Sequence, residues 1–104
     1  MNKVILMGRL TKNADISWNE EDLCIARFTL ATDRRFKREG QQNADFIGCV
    51  AFGKMAEFAD EYLSKGTKIV LEGRIQTGSY IKSDGTKVYT TDVVTENIEF
   101  AENK

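Results

Sequence analysis

The opening stretch NKVILMGRL, residues 2–10, alternates Val4, Leu6, Gly8 and Leu10 with Lys3, Ile5, Met7 and Arg9. That two-residue period predicts a β-strand with one wholly apolar face. Residues 11–22 are polar and end in the acidic run Glu20-Glu21-Asp22, which reads as a loop. Alternation then resumes, with Ala26, Phe28, Leu30 and Thr32 set against Ile25, Arg27, Thr29 and Ala31, and predicts a second strand. The charged segment RRFKREGQQNA, residues 34–44, has no sustained apolar period and reads as an exposed loop. A third strand follows from Asp45 to Phe52. After Gly53 the spacing of Met55, Ala59 and Tyr62, with Ala56 and Leu63 beside them, becomes helical, and Gly66 fits the helix stop. Residues 68–80 predict a long fourth strand with Ile69, Leu71 and Ile75 on its inward face. Ser83-Asp84-Gly85-Thr86 is a hairpin signal, and Val88 to Phe100 supplies the returning fifth strand.

Three strands, one helix and two strands are the element order of an all-β domain with one helix. The best fit is a five-stranded Greek-key barrel of the OB-fold type, with the helix between strands 3 and 4. The chain has 104 residues, no proline and no internal repeat, so nothing marks a linker and one domain is expected over 1–104. The barrel takes about residues 2–100, and a short polar end takes 101–104.

Composition narrows the function classes. There is no histidine, which removes the usual general base at neutral pH and the commonest metal ligand. No catalytic, metal or cofactor site is expected, and the chain reads as a non-enzyme. Cys24 and Cys49 form no CxxC pair and read as buried, reduced thiols. No uninterrupted apolar run exceeds four residues, far from the ~20 of a membrane-spanning helix. A cytoplasmic protein is expected.

The formal charge of -1 comes from 15 basic and 16 acidic side chains and by itself argues against a nucleic-acid partner. The local distribution says otherwise. Residues 1–12 carry three bases and no acid, and residues 24–44 carry five bases against two acids. Acids collect in 13–23, in 45–66 and towards the end of the chain. On the third strand both faces are apolar, Phe46, Gly48, Val50 and Phe52 on one and Ile47, Cys49 and Ala51 on the other. Phenylalanine is usually core, yet only one face of a barrel strand points inward. On the fourth strand the inward set forces Arg74, Gln76 and Tyr80 outward, and Phe36 lies among Arg34, Arg35, Lys37 and Arg38. Rings interleaved with cations are what a single strand of nucleic acid requires: bases stack on the rings while the cations track the phosphates.

Taken together, NKVILMGRL at 2–10, FTLAT at 28–32, ADFIGCVAFGK at 44–54, KGTKIVLEGRIQTGSY at 65–80 and YTT at 89–91 resemble the bacterial single-stranded DNA-binding protein family over nearly the whole chain. The resemblance implies an OB-fold whose stacking positions are Phe36, Phe46, Phe52 and Tyr80. It implies DNA contacts from Lys3, Lys54 and Lys65 and from the loops holding Arg34, Arg35, Lys37, Lys82 and Lys87, with Arg74 on the same outward face as Tyr80. It also implies roles in DNA replication, recombination and repair, nucleoid association, and homo-oligomers, tetramers favoured over dimers, with first strands pairing across an interface. Gly48 stands where family members often carry asparagine or arginine, and Gly78 where a basic residue is common. Family members usually run on into a glycine-rich linker and an acidic tip, so recruitment of replication enzymes through a tail is not expected from a chain ending at Lys104. The alternative is a primosomal type of OB-fold module that acts mainly through protein partners.

Overall fold

A computed structural model describes residues 1–102; part of the expected polar end, residues 103–104, lies outside the described residues. The elements are β1 (Val4–Leu10), β2 (Asp15–Trp18), β3 (Cys24–Asp33), β4 (Ala44–Phe52), α1 (Lys54–Tyr62), β5 (Lys68–Ile81) and β6 (Lys87–Phe100). The five expected strands and the helix are present in the expected order. The short strand β2 is an addition, in the segment read as loop. It forms a hairpin with the start of β3, from Asp15↔Arg27 to Trp18↔Cys24. The turn is built by Asn19, whose side-chain oxygen accepts the backbone N–H of Glu21 and of Leu23 at 2.8 and 2.9 Å.

The sheet runs β1-β5-β6-β4-β3-β2 and closes on itself where β1 also meets β3. The closing seam is short, Arg9↔Ala31 and Leu10↔Leu30, extended by the Thr11 N–H donating to the Thr29 carbonyl. All pairings are antiparallel except β4 with β6, which is parallel at Cys49↔Val93 and Val50↔Val94. This is the connectivity of an OB-fold barrel, in which β1, β3, β4, β5 and β6 form the ring and closure removes most free strand edges.

Alternation fills the interior. Leu10, Ala26, Phe28, Leu30, Cys49, Ala51, Ile69, Leu71 and Val93 are buried, joined by Ala56 and Ala59 of α1 and by Leu63 just after it. The helix therefore closes one end of the barrel with small residues, which let its backbone sit close to the strands. It stops at Tyr62, ahead of Gly66: Leu63 is already extended and donates its N–H to the Ala59 carbonyl. Gly66 instead occupies the following turn at φ +87°.

On the fourth expected strand Ile75 keeps the inward side, paired with the core residue Val93, but it is 44 % exposed. The β5–β6 ladder shifts register between Glu72 and Gly73, and a Cβ at Gly73 would come within 2.2 Å of the Val94 carbonyl oxygen. Past the Ile75↔Val93 pair, where β6 no longer pairs with β4, the two strands continue as a two-stranded arm, and every residue from Arg74 to Lys87 is exposed. The arm's root is held by Asn2, whose side-chain amide donates to the Ile75 carbonyl at 2.7 Å and accepts the Ile75 N–H at 2.8 Å.

Candidate nucleic-acid interface

The register decides which face of β4 turns outward. Cys49 and Ala51 are buried and Ile47 packs against the core, so Phe46, Gly48, Val50 and Phe52 form the outer face. Phe46 is 60 % exposed and Phe52 40 %. Directly paired residues share a face, and the outer surface of the sheet can therefore be read strand by strand. Phe52 lies beside Ile25 of β3. The next row runs Arg27, Val50, Val94, Arg74 across four strands, two arginines flanking a buried valine pair. The row after it holds Thr29, Gly48, Asp92 and Gln76, and then comes Phe46 beside Ala31. Two exposed rings six residues apart along β4, about 20 Å at the strand rise, thus bracket a polar and cationic middle.

The other expected rings stand on projections. Phe36 is 79 % exposed in the β3–β4 loop, and the Arg35 guanidinium lies 5.7 Å from its centroid. Tyr80 is 55 % exposed on the arm, paired with Val88. The structure brings Phe46, Phe52 and Arg74 onto one surface. It leaves Phe36 and Tyr80 on the loop and the arm that extend from it.

The expected cations fall into two groups. Lys3 is held by Glu72 at 2.6 Å and Glu96 at 3.8 Å, and the hydrogen bond to Glu72 raises its pKa. Arg34 grips the Asp45 carboxylate with Nε and Nη2, the closest contact 2.8 Å, and also donates to the Gln42 carbonyl. This fork fixes both ends of the β3–β4 loop and holds the Asp45 carboxyl below the usual carboxylate range. Lys37 has a loose neighbour in Asp33 at 3.8 Å. Among the described residues no ion pair involves Arg35, Lys54, Lys65, Arg74, Lys82 or Lys87. Lys54 opens α1, Lys65 lies in the turn after it, and Lys82 and Lys87 flank the arm tip.

Three surface residues were not singled out by the sequence reading. Arg27 shares the outer row with Arg74, a position that its alternation with the buried Phe28 already implied. Tyr89, 76 % exposed under the Lys87 ammonium at 5.3 Å, pairs with Ser79 and so lies on the arm face opposite Tyr80. Asp92 could not be placed without the β5–β6 register. Trp18 is exposed, but it pairs with Cys24 and belongs to the sheet face turned away from Phe52. Both cysteines are buried and free. Burial pushes the Cys49 thiol up to about 12, with the Asp92 charge adding to the effect, so neither thiol has the character of a reactive site. Among the described residues no group of His, Cys, Asp and Glu could hold a metal ion, and no helix is long and apolar enough to cross a membrane.

Comparison with known proteins gives the family. The model of the single-strand binding protein family matches residues 1–101. The chain is 52 % identical over 103 residues to single-stranded DNA-binding protein 3 of Clostridium acetobutylicum, covering 98 % of this chain and 72 % of the relative. It is 47 % identical over 104 residues to the single-stranded DNA-binding protein of Clostridium perfringens, with 99 % and 67 % covered, and 45 % identical over 103 residues to that of Bacillus cereus, with 98 % and 61 % covered. A full-length family match, similarity at this level and a closed barrel of OB connectivity together place the chain in the single-strand binding protein family.

Proposed function

We propose that this chain binds single-stranded DNA without reading a defined sequence, and protects it during replication, recombination and repair. The observation that carries this reading is the pair Phe46 and Phe52. Both are large apolar rings turned away from a core that Phe28, Leu10, Leu30, Ile69 and Leu71 already occupy, and they lie on the outer face that also carries Arg27 and Arg74. Solvent exposure of such rings is costly unless a ligand covers them, and every base offers a flat partner. Phe36 and Tyr80 extend the stacking surface, and Arg34, Arg35, Lys37, Lys54, Lys65, Arg74, Lys82, Lys87 and Lys3 supply phosphate contacts around it. The role is binding without turnover, in the cytoplasm and at the nucleoid.

A homo-oligomer, tetramers favoured, accompanies this reading. β1 pairs with β5 along Val4 to Arg9 but with β3 only at Arg9 and Leu10, which leaves one edge from Val4 to Gly8 open to a second copy. Ile5 and Met7 are exposed beside that edge.

The test is a fluorescence-anisotropy titration of 5′-labelled oligo(dT) at several salt concentrations, a readout that does not depend on Trp18. Binding is expected, with log K falling by ~0.7 per neutralised phosphate for each unit of log salt. Undetectable or salt-insensitive binding overturns the proposal.

A further inference from the structure

The outer row that begins at Phe46 continues across the barrel seam. Phe46 pairs with Ala31, Ala31 with Arg9, and Arg9 with Lys68 of β5. Directly paired residues share a face, so two cations stand in line with an exposed ring, Arg9 about 10 Å from it at two strand spacings. They border a hollow of ≈ 330 Å³ together with Met7, Gly8, Ala31 and Asp33. Neither is among the phosphate contacts that the sequence reading expects. Arg9 already grips an anion. Its Nη1 and Nη2 donate to the two carboxylate oxygens of Glu102 at 2.8 and 2.6 Å, and Nη1 also donates to the Gly66 carbonyl at 3.0 Å. Anchored in this way, the guanidinium presents a two-pronged fork, a shape that fits phosphate as well as carboxylate. The fork that Arg34 makes with Asp45 differs in what holds the carboxylate. Asp45 lies within β4, paired with Thr32, whereas Glu102 lies beyond the end of β6 at Phe100, after the Ala101 N–H that donates to the Lys68 carbonyl. Both side chains of the Arg9–Glu102 pair are about half exposed, 50 % and 47 %, so exchanging one anion for another there costs little.

Resting on the reading of this surface as a single-strand interface, we propose that Arg9 and Lys68 form a further phosphate site beside Phe46, and that Glu102 occupies it in the free protein as a stand-in for the phosphate. The small Ala31 between ring and fork leaves the way along the row open. With Glu102 in place the charges around the hollow balance, Arg9 and Lys68 against Asp33 and Glu102. With Glu102 displaced the balance turns positive, and Asp33 has a further cationic neighbour in Lys37 at 3.8 Å. Glu102 stays ionised at neutral pH, because the hydrogen bond from Arg9 holds its carboxyl below the ordinary value. A bound strand therefore exchanges one anion for another at the fork. The site adds little to the salt dependence of binding while Glu102 competes for it, because the displaced carboxylate regains the counterions that the phosphate gives up.

The experiment compares the affinity of the wild type, Glu102→Gln, Arg9→Ala and the double variant for labelled oligo(dT) at several salt concentrations, with native folding checked by circular dichroism. Glu102→Gln keeps the shape of the side chain and removes the competing charge. Its affinity is expected to rise about two- to fivefold, the range of an exposed ion pair, and its salt slope to steepen by up to about 0.7, the value of one more phosphate neutralised on a single strand. Arg9→Ala is expected to bind more weakly than the wild type, and in that background the gain from Glu102→Gln should largely vanish. Unchanged or weaker binding by Glu102→Gln would show a pair that only fastens the end of β6, and would overturn the inference. An equal gain in both backgrounds would show a carboxylate that merely repels DNA from a distance, and would overturn it as well. Failure of the wild type to bind oligo(dT) would instead remove the function on which the inference rests.

Discussion

Phe46 and Cys49 are three residues apart on one strand, and the sheet gives them opposite roles. Cys49 is packed in the core, so its truncation would act on folding, while Phe46 lies mostly in solvent and its truncation should act on binding. Phe46→Ala, Phe52→Ala and Tyr80→Ala are each expected to weaken oligo(dT) binding by about 1–3 kcal/mol, with thermal midpoints close to wild type; anisotropy and calorimetry on the same samples check both halves. Individual cations should divide in the same way. Arg34 is already paired with Asp45, so Arg34→Ala should alter the salt slope of binding less than Arg74→Ala does, and should chiefly loosen residues 34–44. The pH dependence of that clamp has a definite sign. Asp45 has a folded pKa below its ordinary value, so the clamp's contribution is complete above the ordinary carboxylate range and disappears as pH falls through the depressed value. Amide exchange in the loop should accelerate only below about pH 4, and both groups are too exposed for the global midpoint to move much.

At the scale of elements, the arm and the barrel are separable. Gly85 at the arm tip has φ +89°. Its N–H donates to the Lys82 carbonyl, and the next N–H, of Thr86, donates to the Asp84 carboxylate at 2.9 Å. A side chain in this left-handed conformation costs about 1–2 kcal/mol, so Gly85→Ala should speed amide exchange along the arm while leaving the exchange of Ile69 and Leu71 unchanged. The elements also show where the sequence was legible. Strands with one apolar and one polar face, such as β3, were readable from alternation alone, and the Ser83 to Thr86 turn from its residue types. β4 was not decidable from its own residues, since both faces are apolar, and only its pairing with β3 and β6 turns the phenylalanines outward. β2 is too short for periodicity to register and depends on the Asn19 turn. Ile75 fits the inward period of its strand and does pair with the inward Val93, but it lies at the root of the arm, so its 44 % exposure could not be read from alternation. The stacking and phosphate positions were grouped by family resemblance. The core geometry explains why the rings are outside but does not itself identify their ligand.

For the whole molecule, the open edge of β1 is the feature with the widest consequence for assembly. Sedimentation of the wild type is expected to show an oligomer, and Met7→Glu, which places a charge beside that edge, should shift it towards smaller species. The variant's thermal midpoint should also depend more steeply on concentration in the micromolar range, as mass action requires of subunits that stabilise one another. A monomeric wild type would refute the assembly. The arm has a consequence of another kind. Its residues from Arg74 to Lys87 are all exposed and none belongs to the core, so substitutions there escape the constraint that core packing imposes on the barrel. A lineage can therefore retune its grip on DNA by drift in this one stretch without first acquiring compensating mutations in the barrel.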